Sequence, residues 1–356
     1  MTMRAPLVQV AEIDPRDEGA FDAWFAVLQA TDAERAPDKP GWKRVERLAM
    51  ALDDDGPEQH RLFVARDRAG VGRGIADVEL YRRENLELAR VDLRVLPASR
   101  RRGIGRSLLA AVEQVVVAAG RTELGGMDET PVRVDHPVGA DHTDYGDAAA
   151  SFALRHGFTF AQQMVRRELR LPLSPRHARA LADNPKSRPA GYSLITFLDR
   201  WPDELVADRC ELGRRMSTDV PTGEQELDEE VWDEARVRQI EAAFAAQNRA
   251  KVITVAREDD SRKLAGFTEI AVPLGAPESV WQHDTLVVRE HRGHGLGFGM
   301  KLANLVALEQ GFPAARGVST WNAAENTPMI AVNDEMGFAV VAHSNYWLKK
   351  LGLEPG

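Results

Sequence analysis

A chain of 356 residues has room for two or three units, each large enough for its own core. A formal net charge of −9 argues against nucleic acid as a partner, because phosphate-backbone binding needs a basic face; it fits a cationic or neutral partner, or simple solubility. A single cysteine, Cys210, excludes an internal disulfide, and with no membrane-length apolar stretch and no signal-peptide core the expected setting is the cytoplasm, with no membrane partner.

Residues 7–10 predict a first strand, followed by a helical region and two further strands over 61–65 and 74–81. The next strand ends at Val95 and runs into Arg100-Arg101-Arg102-Gly103-Ile104-Gly105. Beyond it Leu108, Leu109, Val112, Val115 and Val116 recur at the helical period, and Gly120 is the expected stop. A strand over 165–173 closes this half. A short helix over 174–182, opened by Ser-Pro, and the Pro/Gly/polar stretch 183–191 then read as a linker.

The second half repeats the first. Residues 192–197 restart the strand pattern, with further strands expected over 252–256 and 264–272. The next strand ends at Val287 and enters Arg292-Gly293-His294-Gly295-Leu296-Gly297, after which Met300, Leu302, Leu305 and Val306 keep the helical period up to Gly311. The turns superpose without a gap: Val95 on Val287, Arg100 on Arg292, Gly103 on Gly295, Gly105 on Gly297. Both halves carry a late Gly-Phe, but 58 residues separate Arg100 from Phe158 and 46 separate Arg292 from Phe338. The first copy therefore holds twelve extra residues, placed around 130–144.

A strand, a glycine turn and a helix offer free backbone N–H groups and a positive dipole end to one anion. The spacing fits neither the dinucleotide fingerprint nor a P-loop, which would need glycine at Phe298 or Met300, or a Gly-Lys-Ser/Thr ending. Arg-x-x-Gly-x-Gly after such a strand resembles the GCN5-related N-acetyltransferases (GNAT), and the tandem layout is similar to mycothiol synthases. The resemblance implies an α/β fold of two tandem GNAT-like domains, each a twisted mixed sheet flanked by helices, over 1–173 and 192–356. It also implies acetyl-CoA as acyl donor, its pyrophosphate on the turn and its pantetheine arm along the preceding strand. The residues so assigned are Val95, Arg100, Arg101, Gly103 and Gly105 in the first copy, and Val287, Arg292, Gly293, His294, Gly295 and Gly297 in the second.

In this family an asparagine of the late helix contacts the CoA arm and a tyrosine seven residues on protonates the departing thiolate. The second copy has Asn326 at the first position, Asn322 one turn earlier, and Asn333 at the second; the first copy has Gly146 and Ala153. A plain alternation of strand faces sets His283 on the face of Val287 and Thr285, where an imidazole of unperturbed pKa about 6.5 suits a general base. A bulge, common in this strand in the family, would bring in Asp284 instead. Glu269, mid-strand in 264–272, is the other candidate base. Tyr346 is the phenol available to replace the missing tyrosine, and Asp219 lies where the family forms a wall of the acceptor pocket. No metal is expected.

The implied function is transfer of an acetyl group from acetyl-CoA to a primary amine of a small molecule, such as an amino sugar, antibiotic or amino-acid-like compound, by direct attack in a ternary complex. The first domain would be catalytically degenerate, the second catalytic, and the protein a monomer or homodimer. The competing reading is a non-catalytic acyl-CoA-binding regulator or sensor.

Overall fold

The computed structural model describes residues 8–35, 39–131, 148–219 and 227–352. The chain forms two compact units that are not contiguous in sequence. Unit 1 is Met1–Asp128 with Ala148–Phe160 and Tyr346–Gly356; unit 2 is Glu129–Asp147 with Ala161–Asn345.

In unit 1 the strands β1 (Gln9–Ile13), β2 (Glu58–Arg66), β3 (Gly72–Tyr81) and β4 (Leu88–Val95) pair antiparallel in that order, and β5 (Glu123–Pro131) joins β4 in parallel. Alternation splits the side chains between two cores. Phe63, Ala65, Val78, Leu80 and Ala89 pack on α3 (Ile104–Ala118) and α4 (Ala148–Arg155); Leu62, Val64 and Ile75 pack on α1 (Glu18–Arg35). With both faces covered, the middle of β2 is apolar at every position, which hides the period of two. The α2 helix (Arg44–Ala51) follows α1.

Unit 2 is built the same way. Strand β7 (Tyr192–Leu198) pairs with β8 (Arg249–Glu258), β8 with β9 (Leu264–Pro273) and β9 with β10 (Ser279–Val287), all antiparallel; β11 (Gly317–Ala323) then runs parallel to β10. Helices α6 (Val206–Asp219) and α7 (Glu234–Ala246) cover one face, where Trp201, Leu212, Val237, Ile253 and Phe267 form the core. On the other face, α8 (Leu296–Gly311) and α9 (Thr327–Met336) bury Val252, Ile270, Val280, Phe298 and Met336.

The closing strands depart from the sequence reading, which ends the first domain at 173. Strand β6 (Thr159–Arg170) follows α4 in the chain, yet its residues from Ala161 onward belong to unit 2, where Met164–Arg170 pair antiparallel with β11. Conversely, β12 (Ala339–Lys350) enters unit 1 from Tyr346. A strand's periodicity says which face it buries, and nothing in it says which sheet it joins. The α5 helix (Pro175–Ala182) lies where Ser-Pro predicts it, with Ser174 Oγ capping the His177 amide at 3.2 Å.

Candidate acyl-CoA site

Each glycine turn leaves six consecutive backbone amides open. In unit 1 the first helical amide to find a carbonyl is that of Ser107, on Gly103 at 3.0 Å; in unit 2 it is that of Gly299, on Gly295 at 3.0 Å. Among the described residues, the amides from Arg101 to Arg106 and from Gly293 to Phe298 have no acceptor. Gly103 (φ +82°) and Gly295 (φ +75°) cap the two helices in the left-handed region, the conformation a side chain resists. A concave row of donors at a helix start fits an anion such as a pyrophosphate. The arginines of the motif have a second task. Arg100 Nε bonds the Val95 carbonyl and Arg292 Nε the Val287 carbonyl, both at 3.1 Å, so each braces its turn against the end of the strand. Arg101, Gly293 and His294 are exposed on the turns.

The strands before the turns differ between the copies. In unit 1, β3 and β4 stay in register from Gly74↔Val95 to Leu80↔Ala89. In unit 2, Gln282↔Ile270 is followed by Thr285↔Thr268, so His283 and Asp284 both stand opposite Glu269. This is a β-bulge, which re-aims side chains. Face parity flips across it: Val280 packs on the α8 side and Leu286 on the α6 side. The plain alternation that put His283 on the face of Val287 therefore fails, because the bulge lies between them. Strand β11 leaves β10 after Trp281↔Ser319, opening a gap beyond it. The Val288 amide bonds Ala265 at 3.0 Å on the β9 side, so alternation turns the Val287 N–H toward that gap.

Glu269 is 2 % exposed and its Oε2 accepts from Lys251 Nζ at 2.9 Å, while Oε1 has no partner among the described residues. Burial raises its pKa, but Lys251 and the nearby Arg209 outweigh that and hold it at about 2. Arg209 is itself buried, 4.1 Å from the Trp232 ring centre and 4.6 Å from that of Phe267. Asp284, half-buried on the bulge, is pushed up, first by burial and then by the charge of Glu269. His283 is open to solvent yet has protein packed around it, and stands edge-on to Phe244 at 5.6 Å. Desolvation, followed by Lys251, lowers its imidazole to about 4. Unit 1 holds Asp77 at the ladder position of Glu269, bound to Arg47 and, at 3.0 Å, to His60 Nδ1.

Asn326 is the N-cap of α9, its Oδ1 accepting the Met329 amide at 3.3 Å. Asn333, fully buried, accepts from Lys301 Nζ and donates to Asn322 Oδ1, both at 2.6 Å. Tyr346 belongs to unit 1, buried under the Arg90 guanidinium at 5.6 Å, with its hydroxyl against Gly125. The strand exchange explains this, because the tail of the second copy's last strand contributes to the first unit. Asp219 ends α6, with its side chain outside the described residues; Gly146 and the extra segment fall largely outside them too. Sequence reasoning missed Lys251, Arg209 and Lys301. Lys251 could have been found as a charge inside an otherwise apolar strand; Lys301 could not, since lysine on a helix usually marks its wet face.

Residues 58–160 match the acetyltransferase (GNAT) domain family. Among solved structures the chain is similar to a tandem GNAT protein from the clavulanic acid biosynthesis pathway, at 29 % identity and TM-score 0.78, over 97 % of this chain and 99 % of that one. It also resembles a GCN5-related N-acetyltransferase from Sphaerobacter thermophilus, at 17 % identity and TM-score 0.64, over 97 % of this chain and 96 % of that one. A glucosamine N-acetyltransferase region in a fungal multi-domain GH3 beta-N-acetylglucosaminidase matches at 15 % identity and TM-score 0.63, over 97 % of this chain and 38 % of that one; these last two support the fold alone. No curated protein matches. Among the described residues, no helix is long and apolar enough to cross a membrane.

Proposed function

We propose that this chain, a tandem GNAT protein by fold and by its GNAT domain, transfers an acetyl group from acetyl-CoA to a primary amine of a small molecule in unit 2. The observation that carries the reading is the bulge at His283-Asp284, just past the last residue that β10 pairs with β11, on the strand that runs into the open turn amides. Unit 1 has the turn and the gap without the bulge.

The open amides of Gly293 to Phe298 would hold the donor's pyrophosphate, and the Val287 N–H would face its thioester carbonyl. Acetyl-CoA supplies the activated acyl group, so the protein need only position an amine, take its proton and stabilise the oxyanion. Asp284 is our choice of base, because a carboxylate with a raised pKa accepts a proton more readily than Glu269 held at about 2. Glu269, anchored by Lys251, then serves as the fixed charge that keeps Asp284 basic. His283 lines the approach to it.

Unit 1 favours a different role. Its unbulged β4, with Leu109 and Ala153 where unit 2 has Lys301 and Asn333, suits acyl-CoA binding without turnover. The test of the function is thermal stabilisation by acetyl-CoA together with thiol release across a panel of primary amines. Absence of any shift up to millimolar acetyl-CoA would overturn the reading.

A further inference from the structure

Lys301 is an expensive residue in its place. It lies inside unit 2 on α8, 2 % exposed, 5.2 Å from the centre of the Phe338 ring, and the first copy fills the same helical position with Leu109, 3 % exposed. Packing alone therefore does not ask for an amine here, and burying one costs free energy unless its hydrogen bonds do something.

What those bonds do follows from donor chemistry. The lysine amine donates through its N–H groups whether or not it is protonated, whereas an asparagine amide can turn over and exchange its oxygen for its nitrogen. Lys301 Nζ meets Asn333 Oδ1, so the Asn333 NH2 must point away from the lysine. It donates to Asn322 Oδ1, which uses that oxygen as an acceptor and leaves the Asn322 N–H groups as what this side chain has to offer. Asn322 is half-buried on β11, three residues past Ser319, where β11 has already parted from β10. The chain thus runs in one direction, from the buried lysine amine to a pair of donors at the gap. In unit 1 the same strand position is Asp128, which accepts from Trp347 Nε1 at 2.7 Å, and no lysine or asparagine stands behind it.

We propose that Lys301 is a positioning residue which, through Asn333, holds the Asn322 amide with its N–H donors toward a carbonyl oxygen of the acyl-CoA arm. The proposal rests on the reading of unit 2 as an acetyl-CoA site. It assigns the family's tyrosine position in this chain to orientation of the donor rather than to proton transfer.

The test is an acetyl-CoA titration by calorimetry, with thermal unfolding measured in parallel. Asn333→Asp still accepts from Lys301 but can no longer donate to Asn322. Lys301→Leu/Asn333→Ala installs the apolar pair of unit 1 and removes the buried amine together with its acceptor, so it folds where Lys301→Leu alone risks failing. Both should weaken the unit 2 dissociation constant about 3- to 10-fold, the size of one hydrogen bond, at near-parental Tm. Asn322→Ala should weaken it equally, and adding Asn322→Ala to the double variant should cost nothing more. Parental affinity in both variants, or a further loss from Asn322→Ala in the double variant, overturns the proposal. Failure of the parent to show acetyl-CoA binding that Gly297→Leu removes would instead overturn the reading of unit 2 itself.

Discussion

Lys251 Nζ and Glu269 Oε2 lie 2.9 Å apart in the interior of unit 2, on strands whose register sets Ile253 opposite Glu269. Unit 1 fills the same two ladder positions with His60 and Asp77. A buried pair adds little stability over an apolar one, but breaking it strands a charge. Lys251→Met should therefore destabilise the protein by about 3–5 kcal/mol, read from urea unfolding, whereas Lys251→Met with Glu269→Leu should recover most of that. A single variant as stable as the parent would mean the pair is solvated.

Acid unfolding follows from the same carboxylate. The folded pKa of Glu269, about 2, is below its unfolded value of 4.5, so its stabilisation is complete above the unfolded value and disappears as pH falls toward 2. Glu269→Gln should flatten the stability–pH curve between about 4.5 and 2. An unchanged curve would place the acid-labile groups elsewhere.

Lys301 acts at the other end of the scale. Burial lowers its ammonium from 10.5 to about 7, so between those values the unfolded chain binds the extra proton and stability rises with pH. Lys301→Leu/Asn333→Ala should remove that rise, as followed by denaturant unfolding at pH 7 to 10. A rise persisting in the variant would show that another group causes it.

Asp284→Asn should cost about 10²-fold or more in kcat/KM while acetyl-CoA still binds, with smaller losses for His283→Ala. The acid limb of kcat/KM should report a group above the ordinary aspartate range and vanish in Asp284→Asn. If both variants stay within a few-fold of the parent, the amine loses its proton to water.

The turns, the repeat and most strand positions were legible because glycine spacing and apolar period act locally. The bulge was legible only as an alternative, since His283 and Asp284 reveal an extra residue only against the register of β9. Tyr346 was misplaced for a long-range reason: whether the end of β12 serves one unit or the other depends on strand exchange. Asn326 reads as a cofactor contact by position, and its helix-capping role needs the backbone of α9 to be seen.

The proposed assignment of chemistry to unit 2 is tested by matched glycines. A Cβ on Gly297 meets nothing closer than Val332 at 3.8 Å, so Gly297→Leu should fold and intrude on the donor's approach; on Gly105 it meets Phe152 at 3.2 Å. Thiol release from acetyl-CoA with a responsive amine should fall to background in Gly297→Leu and persist in Gly105→Leu. Equal loss in the two, with both proteins folded, would contradict the assignment of catalysis to unit 2.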